Sequence, residues 1–421
     1  MRMTRRAALL GAALTIAAAP SARAAGSLTA TYMESGTYDA AAKQIAQEYQ
    51  QQHGVEVKIV AFPWAVLRQN NTTDLITGAG QYQVMSGGYY LADVYENFAP
   101  LTDFIKKSDY AKGMIPGLME PGRSEWYDGQ QVGIPFGIDA YGLMVNKDIL
   151  AKAGVEPKFA TWDDVIAACE KIEQAVKDVA CLGHSTGNPE QIGAFFFSAY
   201  DGPYVTRDGK YALDPGKAAA AAALLPRLWK HLPPGGQALT FDEAERLFAD
   251  GKAAMLVDWP SFSTKTLDDP AKSKIVGKWT MARFPGAGFP WLSLWQEFVP
   301  KSTQDKETAW AWIEAFAGEK NAKRNLVEHG INSVWLSTYQ DPDLAKKYQH
   351  YWPVMQEGFS RAKNPPLSGE AQDFLTNSLV EVATGQTEAK AAIDKVNTTW
   401  AGIPVPKALL GAAAGAGQQA K

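Results

Sequence analysis

Residues 126–154 constrain the fold more than any other stretch of this chain. Asp128 and Gly129 mark a tight hairpin, because Gly supplies the positive φ that such a turn needs. The apolar run 132–135 ends in Pro135, which has no N–H for a ladder and must stop the strand or sit at a sheet edge. Beyond Asp139 the chain is apolar again over 141–145. Asn146, Lys147 and Asp148 then open a short helix that Gly154 can close. Two extended runs flanking one acidic residue, with a helix start just beyond, describe a chain leaving one sheet and entering another. With 421 residues, 46% hydrophobic content and 13 Trp, there is material for two cores.

The segments on either side read as α/β. Residues 28–33 predict a strand, followed by a polar loop and a helix capped near Asp39 with Ala42, Ile45, Ala46 and Tyr49 on its apolar face and Gly54 as its stop. Val55, Val57 and Ile59 alternate with Glu56 and Lys58, the period of a half-buried strand. A helix over 66–77 and a strand near 83–86 complete a β-α-β-α-β order, which predicts a mostly parallel sheet covered by helices. In such sheets ligands sit at the carboxyl ends of strands, here Glu34 and Ser35, Trp64, and 85–90 with Ser86 and Tyr89. Further on, Thr161 with Asp164 and Thr240 with Glu243 are capping boxes. The continuous apolar run 253–257 predicts a strand buried on both faces, delivering Asp258 and Trp259 at its end. A strand over 278–284 would cross back. The helix expected over 304–317 makes Trp310 and Trp312 structural.

The first residues predict export. Arg2, Arg5 and Arg6 precede an apolar run over 7–19, and Ala22, Arg23 and Ala24 form a small-x-small cleavage site. That run is too short to span a bilayer, and Thr4-Arg5-Arg6 fits either a twin-arginine or an ordinary secretory signal. Cleavage after Ala24 removes four Arg and no acid, taking the formal net charge from −4 to −8, which gives no reason to expect nucleic acid or an anionic membrane as partner. Cys169 and Cys181 could pair in an oxidising compartment, or Cys169 could be a small buried helix residue. Neither reading makes a metal site.

Several motifs make the chain resemble the solute-binding proteins of carbohydrate ABC importers. Gly133-Ile134-Pro135, Asp139, the run 143–149, Ala153-Gly154 and Thr161-Trp162-Asp163 match the segment by which that family crosses from its first lobe to its second. Gly54-Val55-Glu56-Val57, Trp64 and Pro100-Leu101 resemble the first lobe, and Gly251-Lys252-Ala253-Ala254-Met255 resembles a second-lobe strand. The likeness spans roughly 28–402. It implies a two-lobed α/β periplasmic binding fold with three interlobe crossovers and the ligand in the cleft. The lobes would be 25–137 with 281–330, and 138–280 with 331–405, followed by a flexible tail over 406–421. It further implies a free, monomeric periplasmic protein with no cofactor and no metal, which binds a carbohydrate and hands it to an inner-membrane ABC permease. Trp259 holds the place of an aromatic that stacks on sugar in the family, Trp295 stands where relatives have Gly-Gly-Trp, and Trp335 lies in the stretch that resembles the third crossover. Gln83 stands where relatives carry Asp, Ser293 and Leu294 replace two glycines before Trp295, and the Arg common near Trp335 is missing.

Sugar recognition asks for aromatic faces beside directed hydrogen-bonding groups. Trp64, Tyr89, Trp259, Trp295 and Trp335 supply the first. Glu34, Ser35, Ser86, Asp139, Asn188 and Asp258 supply the second, carboxylates being the stronger acceptors. Arg361 keeps a phosphate ester open as the solute. Two rival readings remain. Gly183-His184-Ser185-Thr186-Gly187 fits the nucleophile elbow of an esterase, although Asn188-Pro189 follows where a helix should start. Tyr89-Tyr90 could ligate ferric iron, although no carboxylate or His cluster accompanies the pair.

Overall fold

The computed structural model describes residues 26–410; the expected export signal over 1–24 and the tail residues 411–421 lie outside them. Three strands form where the alternating and apolar runs stand: β1 (Ser27–Met33), β2 (Glu56–Phe62) and β3 (Val84–Gly87), parallel with β1 in the middle. The helices Tyr38–His53 and Trp64–Thr77 connect them, each closed by a glycine in the left-handed region, Gly54 and Gly78. On β2 the alternation holds, with Val57 buried between exposed Glu56 and Lys58. The hairpin of β4 (Trp126–Tyr127) and β5 (Gln130–Gln131) turns through Asp128 and Gly129, both at positive φ (50° and 73°).

β6 (Gly133–Ala140) then joins the first sheet, and β7 (Gly142–Asn146) belongs to a second. Only Tyr141 separates them. The second sheet adds β8 (Ala180–His184), β9 (Ala253–Asp258) and β10 (Trp279–Ala282) in the order β10-β7-β9-β8, and β9 is buried along its whole length. β11 (Leu292–Phe298) returns to the first sheet, whose order is β2-β1-β3-β11-β6. That sheet is mixed where a mostly parallel one was expected. β11 comes in from the second sheet and so runs antiparallel to both β3 and β6. Pro135 lies on edge strand β6, where the pairing register with β11 slips between Trp295 and Gln296, a bulge that accommodates a residue without an N–H.

The caps read from the sequence form. The Asn146 side chain accepts from the N–H groups of Asp148 and Ile149 at 3.1 and 3.2 Å, and Thr161 and Thr240 make full capping boxes, each worth about 1 kcal/mol. Cys169, in the helix Trp162–Ala175, and Cys181, on β8, form a disulfide with Cα atoms 5.2 Å apart. Of the two readings, pairing is the one realised. Trp312 is fully buried and donates its indole N–H to the Tyr32 hydroxyl at 3.0 Å, while Trp310 stacks on Phe104.

Three sets of contacts bear on the expected lobe edges. β10 is hydrogen-bonded to β7 through Ala282, so the return crossing lies after that residue rather than at 280. Trp335 bridges Met114 and donates to the Ala317 carbonyl at 2.9 Å, so the first layer keeps the chain beyond 330. The helix Trp352–Arg361 touches both β6 and β10. The tail is ordered at its start. Residues 407–410 make a helical turn, with Lys407 paired to Asp128 at 2.9 Å and Leu409 packed on the first-sheet side.

Candidate functional site

Aromatic rings make a continuous path from one sheet to the other. Pro63 caps the helix Trp64–Thr77 and places Trp64 at the carboxyl end of β2. The Trp64 ring lies 4.5 Å from Tyr90 and 5.8 Å from Trp295 on β11, which in turn lies 4.7 Å from Tyr38. Tyr89 and Tyr90 open the 3-10 helix Tyr89–Asn97 just past β3. Their backbone is drawn close under β11, since a Cβ on Gly88 would stand 3.0 Å from the Leu294 carbonyl. Tyr89 is 5.8 Å from Trp291, which is 5.6 Å from Trp259. Trp259 ends the path 4.2 Å from Tyr141, the residue between the sheets.

Polar groups converge on these rings. Gln191 Oε1 accepts from the Trp259 indole N–H at 3.0 Å and from the Tyr141 hydroxyl. Its amide donates to Glu190 at 3.2 Å. Burial pushes the Glu190 carboxyl up to about 7 despite the nearby Arg68 guanidinium. Ser86 Oγ, Tyr90 Oη and Trp291 Nε1 are buried with no hydrogen-bond partner. Buried polar atoms are rarely left unpaired, and atoms away from the path, such as Tyr110 Oη and Trp352 Nε1, share this state.

The residues expected from the sequence divide into groups. Trp64, Tyr89, Trp259 and Trp295 are brought together on the path, while Ser86 lies on β3 just before it, its carbonyl accepting from Asn71. Asp139 and Asp258 lie at the hinge beside it. Asp139 is 2% exposed; its oxygens accept from Ser261 N at 2.8 Å, Ala140 N at 2.9 Å and Asn332 Nδ2 at 3.5 Å, and burial raises its carboxyl to about 7. Asp139 thus ties the crossing strand to two other segments. Asp258 is also buried, which holds its carboxyl far above the usual range. Ser35 Oγ serves the turn that starts the helix Tyr38–His53, 2.6 Å from Thr37 Oγ1, and Glu34 is exposed next to it.

Three others stand apart. Asn188 is exposed at the start of the turn Pro189–Ile192. Trp335 is packed edge-on against Tyr110 beneath the first sheet, its N–H spent on Ala317. Arg361 is held by Glu357 at 2.6 Å and by the Phe284 carbonyl at 3.3 Å. Glu190, Arg68 and Trp291 were not picked from the sequence. Glu190 follows a Pro like any first-turn acid, and only the upward push of burial on its carboxyl distinguishes it. A surface depression of about 640 Å³ bounded by Gly154, Lys158, Asp164, Lys171 and Arg283 shares none of these residues. Among the described residues no cluster of His, Cys, Asp and Glu could hold a metal ion.

Known proteins bear on this arrangement. The family model of bacterial extracellular solute-binding proteins matches residues 34–323. A binding protein of Brucella abortus (strain 2308) is 25% identical over 271 residues, 62% of this chain and 64% of that protein; the chain thus spans just under two thirds of that relative. The mannitol-binding protein of Pseudomonas aeruginosa is 26% identical over 331 residues, 72% of each chain. An ABC transporter solute-binding protein from Agrobacterium radiobacter, solved with ribitol, superposes with a TM-score of 0.78 at 22% identity, covering 89% of this chain and 98% of that one. That likeness shows the two-lobed α/β fold of periplasmic binding proteins. The first sheet is one lobe, the second sheet the other, and the aromatic path lies between them.

Proposed function

We propose that this chain, which belongs to the bacterial extracellular solute-binding protein family, holds one small neutral polyol or sugar between its lobes and presents it to an ABC permease. The carrying observation is the aromatic path with orphaned groups on it: rings from both lobes, and Ser86 Oγ, Tyr90 Oη and Trp291 Nε1 awaiting partners. Ring faces take up the C–H face of a polyhydroxyl compound, and the polar atoms pair its hydroxyls. Glu190, Asp258 and Gln191 add acceptors on the second lobe. Arg68 already faces Asp373, and Arg361 is committed to Glu357, so neither of these two cations is free for a phosphate ester. The site is bounded at the hinge by Asp139 and Ser261, 2.8 Å apart, and at the mouth by Gln372 on Tyr89 at 3.4 Å. That enclosure favours a short solute over a long oligosaccharide. The mannitol- and ribitol-binding relatives support the same class.

The protein acts by binding, as a periplasmic monomer, with no catalytic step and no iron. Ser185 follows β8 with an ordinary backbone φ, unlike the strained serine of a nucleophile elbow. Its neighbour His184 has Nδ1 committed to the Val257 carbonyl at 2.9 Å, and burial lowers its pKa to about 4.

Thermal unfolding of the mature protein with D-mannitol, ribitol, maltose, glucose 6-phosphate and ferric citrate tests this reading. A solute at a hundred times its Kd adds about 2.7 kcal/mol. A melting shift with a polyol or neutral sugar, lost in Trp259→Ala, is expected. A shift with the phosphate ester or with iron alone would overturn the reading.

A further inference from the structure

Two donors from distant parts of the chain end on one side-chain oxygen. The Trp259 indole N–H reaches Gln191 Oε1 at 3.0 Å, and the Tyr141 hydroxyl donates to the same atom. An indole N–H can only donate, so the atom it meets must be the amide oxygen. The amide nitrogen agrees, donating to Glu190 Oε1 at 3.2 Å. All three contacts therefore require one orientation of the Gln191 side chain, which is 6% exposed. Its backbone is held as well. The Gln191 N–H donates to the Asn188 carbonyl at 3.0 Å, its carbonyl accepts from Gly193, and the turn Pro189–Ile192 packs against the helix Gly369–Ala383.

The two rings are anchored differently. Trp259 precedes the helix Pro260–Leu267, and Ser263 Oγ donates to its carbonyl at 3.1 Å. That fixes its backbone and leaves the indole to turn about two side-chain bonds. Tyr141 stands between β6 and β7, and its N–H donates to the Trp291 carbonyl at 3.1 Å. Trp291 directly precedes β11, so this bond ties the first crossing between the sheets to the return crossing.

We propose that Gln191 is a positioning residue of the solute site: its oxygen fixes the plane of the Trp259 indole against Tyr141 at the first crossing, so that the ring face stands ready before a solute arrives. This deepens the solute-binding reading and rests on it for the role of Trp259, though not for the bonds that hold the ring. Without an acceptor at 191 the indole N–H and the Tyr141 hydroxyl lose their shared partner, and the indole has to be ordered each time a solute binds. Ordering one such side chain lowers affinity between about twofold and tenfold.

The indole N–H signals of the solute-free mature protein, recorded on isotope-labelled tryptophan, test this without any ligand. The Trp259 signal is the one that Trp259→Phe removes. Gln191→Met keeps the length of the side chain but offers only a weakly accepting sulfur. It should shift the Trp259 signal and speed its exchange with solvent. Gln191→Glu offers the rings an oxygen again. Near pH 5, where adjacent acids share a proton, it should keep the wild-type signal. A residue that only filled space would change at most the melting temperature in Gln191→Met. With D-mannitol as probe, Gln191→Met should bind between about twofold and tenfold more weakly than the wild type, and Gln191→Glu near pH 5 should recover that loss. A Trp259 signal unmoved by Gln191→Met, or moved alike by both substitutions, would overturn the proposal. A signal that follows the acceptor in a protein that binds no mannitol would sustain the positioning role and count against the polyol reading alone.

Discussion

Glu297 shows what one buried acid does to a sheet. It lies on β11 with no exposure and is hydrogen-bonded to the Tyr32 hydroxyl, which also receives the Trp312 indole N–H. Burial raises its carboxyl to about 8, so the folded state keeps a proton that the unfolded chain loses near 4.5. The associated stability is fully present below that lower value and is lost as the pH rises towards 8. Denaturant unfolding at pH 5 and pH 8.5 should show a loss of which Glu297 contributes on the order of 3 kcal/mol, and Glu297→Gln should reduce it by that amount. Asp139 is a second case. Asp139→Ala strips the buried Ser261 N–H of its acceptor, which should cost about 1–3 kcal/mol in chemical unfolding. The residue type and the strand-end position were legible in the sequence at 139. Its partners were not, because Ser261 and Asn332 are 122 and 193 residues away and no local pattern announces them. For the same reason Trp335 read as a cleft residue although Ala317 holds its indole.

Elements were read better than contacts, since periodicity and caps are local. The strand runs 28–33 and 253–257, the helix faced by Ala42, Ile45 and Tyr49, and the capping boxes at Thr161 and Thr240 stand where the residue patterns put them. The direction of β11 could not be read locally, because antiparallel pairing with β3 and β6 follows from where the chain re-enters the sheet. The link between the helix Trp162–Ala175 and β8 yields a prediction at this scale. Replacing Cys169 and Cys181 together by Ala opens a loop spanning 12 residues in sequence, which should cost about 3 kcal/mol. A scan of the melting temperature with and without reductant should give the same loss in the wild type.

At the scale of the whole molecule, the first crossing between the two sheets is a single residue. β6 ends at Ala140 and β7 begins at Gly142, and the Tyr141 ring between them packs at 4.2 Å from Trp259 and 6.1 Å from Trp291. There is no slack in such a joint. Any change in the angle between the sheets must twist Tyr141 and disturb the two indoles against it. The protein therefore carries its own optical gauge of lobe angle. Tryptophan emission should shift when solute binds, and Trp291→Phe should reduce that shift, so an unlabelled sample in a fluorimeter becomes a position sensor.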